Sequence, residues 1–129
     1  MKWLLAVCAL AVIAASGCQD EGPPRYHVSG TVTLKGEPVP IGSIIFQPDP
    51  TAGNSGPSGN ATIQDGKFDT REAGVPTTGG SQIVTIEAFD GKVVNPEYAP
   101  YGTSLRVGYQ EKHVLPEKDA VLDIELTER

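Results

Sequence analysis

Apolar and polar positions along this chain follow two regimes. Trp3 to Ala15 (WLLAVCALAVIAA) is an unbroken apolar run, whereas from Val28 onward the apolar residues mostly alternate with polar ones. In Val28–Leu34, one face carries Val28, Val32 and Leu34 and the other Ser29, Thr31 and Thr33, the pattern of a half-buried strand. Lys35-Gly36-Glu37-Pro38 reads as a turn, and Ser43 to Gln47 as a second strand stopped by Pro48. Asn60–Gln64 and Lys67–Thr70 flank Asp65-Gly66, a hairpin signal because glycine tolerates the positive φ that such turns need. Ile83–Phe89 alternates again, with Val84, Ile86 and Ala88 inward and Thr85 and Glu87 outward. Leu105–Tyr109 is a shorter strand, extendable to Leu115. Leu122, Ile124 and Leu126 alternate with Asp123 and Glu125 in a closing strand. The intervening segments are rich in Gly, Pro, Asn and Ser: Asp49–Gly59, Gly74–Gly80 and Asn95–Gly102. Seven strands at regular spacing, and no segment of helical period, predict an all-β, seven-stranded, Greek-key-like β-sandwich in a single domain spanning 26–129.

The N-terminal run spans about half to two thirds of the ~20 residues a bilayer-crossing helix needs. With Lys2 before it and small residues after it, the run reads as a secretory signal peptide over residues 1–17. It ends in Ala15-Ser16-Gly17-Cys18, which resembles a bacterial lipobox, with Ala15 where Leu is usual. The resemblance implies cleavage after Gly17, thioether attachment of diacylglycerol to Cys18, and acylation of the new terminal amine. More than one acyl chain makes a stable anchor, since each buried methylene contributes about 0.8 kcal/mol. Cys8 would leave with the signal peptide, so Cys18 has no partner for an intrachain disulfide. Residues 18–25, Pro-rich and polar after the cysteine, form a short tether. Gln19 is not the Asp that commonly signals inner-membrane retention, which favours the outer membrane.

Composition narrows the function classes. The net charge is -6, and Lys2 is the one charged residue among the first 17, so the mature chain carries about -7. A chain this acidic offers little to neutralise phosphates, and nucleic-acid binding is not expected. The 11 Pro and 15 Gly suit many tight turns better than helices. The sole Trp is Trp3, inside the leader, leaving a mature core built mostly from Val, Ile and Leu.

Candidate chemistry is sparse. Only His27 and His113 could serve as neutral-pH bases. Both read as partly exposed strand-edge residues, and no Gly-x-Ser-x-Gly elbow accompanies them. Two histidines and no mature cysteine beyond Cys18 fall short of a zinc site. Asp49, Asn54 and Asn60 are too dispersed for a calcium loop and read as a flexible loop. No catalytic residue, metal or cofactor is therefore expected. Glu117, Asp119, Asp123, Glu125 and Glu128 read as outward acids that discourage sheet-to-sheet pairing at an edge. Tyr98 and Tyr101, in a Pro-rich crossover, are the nearest approach to a recognition surface for a sugar or a peptide. The competing reading, which is favoured, packs Tyr98 over the sandwich edge with its hydroxyl wet.

Four stretches carry a family resemblance. His27-Val28-Ser29-Gly30-Thr31-Val32-Thr33-Leu34-Lys35-Gly36-Glu37-Pro38-Val39-Pro40 resembles the opening of a transthyretin-like, carboxypeptidase-regulatory-like domain. Ala61-Thr62-Ile63-Gln64-Asp65-Gly66-Lys67-Phe68 resembles the same family's hairpin, in which the Asp-Gly turn leads to an inward Phe. Asn95-Pro96-Glu97-Tyr98 and Thr103-Ser104-Leu105-Arg106-Val107 look like the later part of planctomycete-type lipoproteins of this kind. Gly79-Gly80-Ser81-Gln82 stands where the family commonly has Pro-Gly and an aromatic. The resemblance implies a non-enzymatic accessory module, here a membrane-anchored lipoprotein serving cell-envelope interaction or structure with an unknown envelope protein or glycan as partner. The alternative is a carbohydrate- or peptide-binding module using the Tyr98/Tyr101 loop.

Overall fold

In the computed structural model, residues 22–127 are described; the leader, Cys18 and Glu128 lie outside them. The strands are β1 (Val28–Leu34), β2 (Glu37–Pro38), β3 (Ile41–Pro48), β4 (Gly59–Gln64), β5 (Lys67–Asp69), β6 (Gly74–Val75), β7 (Gly80–Phe89), β8 (Ser104–Leu115), β9 (Ala120–Val121) and β10 (Ile124–Leu126). All seven expected strands form, and the protein is an all-β sandwich. They hydrogen-bond in the order β10-β1-β5-β4-β3-β7-β8, with β2 and β9 also on β1 and β6 on β4.

Two layers arise because β4 and β5 meet at one residue pair only, Gln64 with Lys67. From that point β5 runs along β1 while β4 runs along β3. The turn between them has Asp65 at φ 49° and Gly66 at φ 75°, the doubly positive geometry of a tight hairpin. Lys35 (φ 54°) and Gly36 (φ 75°) repeat it between β1 and β2, so Glu37 and Pro38 pair back onto Leu34 and Thr33 instead of belonging to the turn.

Alternation fills the space between the layers. Val28 and Val32 from β1, Ile44 and Phe46 from β3, Ala61 and Ile63 from β4, and Val84, Ile86 and Ala88 from β7 are all buried. Ile124 and Leu126 enter from β10, and Phe68 of β5 meets Phe46 at a centroid distance of 6.2 Å. The inward row of β7 begins earlier than Ile83, since Gln82 is fully buried. Its amide donates to the Gly79 carbonyl at 2.6 Å.

Two features depart from expectation, and the extension of β8 is borne out. The closing strand, expected to run from Leu122 to Leu126, is broken at Leu122-Asp123 into β9 and β10, and both pair parallel with β1. Strand β8 continues to Leu115 in regular register with β7, and the register shifts lie at its start, between Ser104 and Tyr109. Gly108 at φ 67° lies in that irregular stretch, and the shift hides the alternation because the inward position passes from Arg106 to Tyr109. The loop after β3, expected to be flexible, is tied down at its start and its middle. Asp49 is buried and accepts from Thr51 N at 2.9 Å, while Asn54 donates to the carbonyls of Gly79 and Ser81.

The C-terminal acids also do more than face water. Where the ladder breaks, Asp123 accepts from Thr31 N at 3.0 Å, and Glu125 accepts from Gly36 N at 2.9 Å and from Thr33 Oγ1. Asp119 accepts from His27 N at 2.8 Å and pairs with Arg71. These bonds satisfy donors on an incompletely paired strand.

They also shift titration. Glu125 is held below its ordinary value chiefly by the Thr33 hydroxyl, Asp119 by the His27 amide, Asp49 by the Thr51 hydroxyl, and Asp90 by the Lys92 amide. A carboxylate whose folded pKa lies below its unfolded one stabilises the fold fully above the unfolded value. That contribution is lost as pH falls through the folded value. The urea midpoint is therefore expected to hold steady above pH 5 and fall as pH drops through about 4. Glu125→Gln should flatten that slope, and an unchanged slope would show that these carboxylates do not act as clasps.

Candidate functional site

Strand directions give the domain two poles. Tyr26 bridges Thr77 beside the start of β1, so the chain enters at the pole where β1 and β7 begin. The far pole holds the ends of β1, β4 and β7 and the start of β8. With seven residues in β1, the poles stand roughly 20 Å apart. The 90–103 crossover carrying Tyr98 and Tyr101 is at the far pole.

The base of that crossover is pinned. Asp90 Oδ1 accepts from Lys92 N and Thr103 N, both at 2.9 Å, joining the two ends of the loop. Asp90 N donates to Thr103 O and Gly91 N to Tyr101 O. Gly102 sits at φ 85°, where a Cβ would lie 2.1 Å from Asp90 Oδ1. A second turn forms at Asn95, whose side chain accepts from Glu97 N at 3.0 Å.

The two tyrosines part company on this loop. Tyr98 does not pack over the sandwich edge: it is 81% exposed, because the turn at Asn95 carries it on the outer side of the crossover. Tyr101 is the one that packs. Its ring lies 5.6 Å from that of Phe89 at the end of β7, and 52% of it stays exposed. Val94, 94% exposed, adds an apolar tip, and Val93-Val94 beside the loop is its signal in the sequence.

Below Tyr101 the outer face of the sheet carries two rows. Strand register sets Thr62, Ser43 and Glu87 side by side across β4, β3 and β7, and Gln64, Ile41 and Phe89 beside them. A hollow of about 250 Å³ is lined by Ile41, Ser43, Thr62, Glu87, Phe89 and Tyr101. Across Thr62 and Gln64 it adjoins a larger hollow of about 650 Å³ at the splay of β4 from β5, which Asp65, Asp69, Glu72 and Asp123 surround. Among the described residues, the side chains of Ser43, Thr62, Gln64 and Glu87 have no hydrogen-bond partner within the protein. None of these four was singled out from the sequence, because polar outward residues on a strand are ordinary there; only register places them together.

Both histidines lie at strand edges and are part-buried. His27 Nδ1 is 3.1 Å from Thr70 Oγ1, a hydroxyl that also accepts from Val28 N. His113, on edge strand β8, pairs with Glu111. Glu111 also accepts from the Tyr109 hydroxyl at 2.7 Å, raising the phenol's pKa above its ordinary value. Among the described residues no three His, Cys, Asp or Glu side chains are grouped to hold a metal, and no helix is long and apolar enough to cross a membrane.

No protein-family model matches the chain, and no curated protein matches it in sequence. In three dimensions it is similar to a DUF3823 family protein from Parabacteroides merdae, with a TM-score of 0.45 and 18% sequence identity. That match covers 82% of this chain and 47% of the other, so the chain spans about half of that protein's length.

Proposed function

We propose that this chain is a non-enzymatic lipoprotein of the cell envelope, anchored through lipid on Cys18 and presenting a transthyretin-like domain to an envelope partner. The anchor rests on the Trp3–Ala15 run followed by Ala15-Ser16-Gly17-Cys18. The partner-facing role rests on one observation above all. The crossover with its exposed Val94 and Tyr98 is pinned at its base and stands at the pole opposite the entry of the tether. A loop already held in place loses less freedom on meeting a partner than one that must be ordered. The non-enzymatic part of the reading rests on the sequence, which offers only His27 and His113 as bases and no Gly-x-Ser-x-Gly elbow. The outer membrane is the favoured site, on the residue after Cys18.

The intact mass of the protein extracted from its native membrane tests the anchor. A chain beginning at Cys18 with added diacylglycerol and acyl mass is expected. An unmodified chain in the soluble fraction would defeat the lipoprotein reading.

A second reading, a carbohydrate- or peptide-binding module, is favoured by the hollow beneath Tyr101. Its aromatic wall and unpaired polar floor are the ingredients of a small-ligand site.

A further inference from the structure

We infer that the outer face under Tyr101 binds a neutral, pyranose-based glycan, an inference that rests on the ligand-binding reading just given. Four features carry it. The first is the aromatic wall: Phe89 braces Tyr101 from behind, leaving half of the tyrosine open. A braced aromatic ring loses little freedom when a flat, weakly apolar ring lies against it. The second is the floor. Ser43 and Thr62 supply hydroxyls, Gln64 an amide that both donates and accepts, and Glu87 a pure acceptor. A ring bearing several hydroxyls, each able to donate and accept, matches that mixture.

The third feature is that these polar groups are free. Five acids elsewhere are engaged: Asp49, Asp90, Asp119, Asp123 and Glu125 all accept hydrogen bonds from this chain. Glu87 and its neighbours do not, so they lose no internal bond on meeting a ligand.

The fourth is what the face withholds. Strands β3 and β7, which carry Ser43 and Glu87, are paired on both sides here, and their backbone groups are spent in the ladder. A peptide adding to a sheet needs a free strand edge, so a ligand on this face must be read through side chains.

Charge narrows the class. The adjoining larger hollow is ringed by Asp65, Asp69, Glu72 and Asp123 with Lys67 as its one basic residue, and Glu87 adds to the sign. Uronic-acid chains would be repelled, while a neutral chain can run from the Tyr101 hollow across Thr62 and Gln64 into the larger one.

The test uses the mature chain in detergent, titrated by calorimetry and amide-resolved NMR with cellohexaose, xylohexaose, mannohexaose and maltohexaose, and with polygalacturonate as the acidic control. Saturable binding of at least one neutral hexamer is expected, with amide shifts centred on Ser43, Thr62 and Glu87. Tyr101→Ala and Glu87→Gln should each weaken it at least about tenfold with the unfolding midpoint retained for Glu87→Gln, while Tyr98→Ala should leave it within about twofold. No binding by any neutral hexamer, stronger binding by polygalacturonate, or shifts confined to other residues would each overturn the inference. An unstructured peptide pool that shifts Ser43, Thr62 and Glu87 while the sugars do not would also overturn it, leaving the ligand-binding reading standing. Silence from peptides and sugars alike would remove both, and neither outcome bears on the mass of the anchored chain.

Discussion

Gly30→Ala is expected to destabilise the fold by at least about 3 kcal/mol, a large cost for the smallest side chain that can be added. The reason is close approach, not a positive φ. A Cβ at Gly30 would lie 1.8 Å from the Leu122 carbonyl oxygen and 2.6 Å from its carbon. Both are backbone atoms, so no rotamer change relieves the clash. Nor can Leu122 back away cheaply. Its amide donates to Ser29 O at 2.8 Å, and the residues on either side of Leu122-Asp123 are held to β1 in β9 and β10. Making room means lifting the closing segment from β1, which uncovers Ile124 and Leu126 and breaks the Asp123 bond to Thr31. Gly36→Ala is the control. It sits at φ 75° with nothing within 4 Å of its Cβ, so it should cost only the 1–2 kcal/mol or so of left-handed backbone strain. Urea unfolding of both variants, followed by circular dichroism, separates the two origins. A Gly30 variant no worse than the Gly36 variant would mean that Leu122 does not lie over β1.

Why the strands were legible and this packing was not follows from the same residues. Strand positions depend on local alternation and on turn residues, and both are written along the chain. Val28, Val32, Val84, Ile86 and Ala88 fall on the buried face as the period-two pattern requires, and Asp65-Gly66 turns as its residues dictate. What alternation cannot report is which strand lies beside which. The parallel pairing of β10 with β1 joins residues some ninety positions apart, and the Gly30 contact exists only because of it. Strand β8 beyond Tyr109 is half legible for another reason: Gln110, Glu111, Lys112 and His113 are all polar, so this edge strand shows no apolar alternation there.

The candidate site divides along the same line. Tyr98 and Tyr101 were visible as aromatics in a Pro-rich loop, a property of composition. That Tyr101 rests on Phe89 while Tyr98 does not depends on how the crossover closes through Asp90. The floor of the hollow is less legible still. Thr62, Ser43 and Glu87 come from three strands and mean nothing singly; lateral register makes them a row.

Phe46→Ala and Phe68→Ala are each expected to cost about 3–5 kcal/mol, the range for truncating a buried aromatic, and the pair is expected to cost less than the sum. Phe46 is fully buried and Phe68 nearly so, and their tilted rings meet at 6.2 Å and 47°. Phe46 belongs to β3 and Phe68 to β5, strands separated by β4 in the hydrogen-bond order, so the contact crosses the interior instead of running along one sheet. It joins the two layers away from their lone backbone pair, Gln64–Lys67, since Phe46 stands opposite Gly59 at the other end of β4. Phe68 is also the sole buried side chain of its three-residue strand. Without it β5 keeps its hydrogen bonds to β1 but loses its hold on the opposite layer. Each single variant removes the ring contact once, and the double variant cannot remove it twice, so the costs should overlap by about 0.5–1.5 kcal/mol. A double-mutant cycle on urea unfolding free energies measures that overlap. Strict additivity would show that the rings are merely near one another, and that the layers are joined by general burial without a specific contribution from this pair.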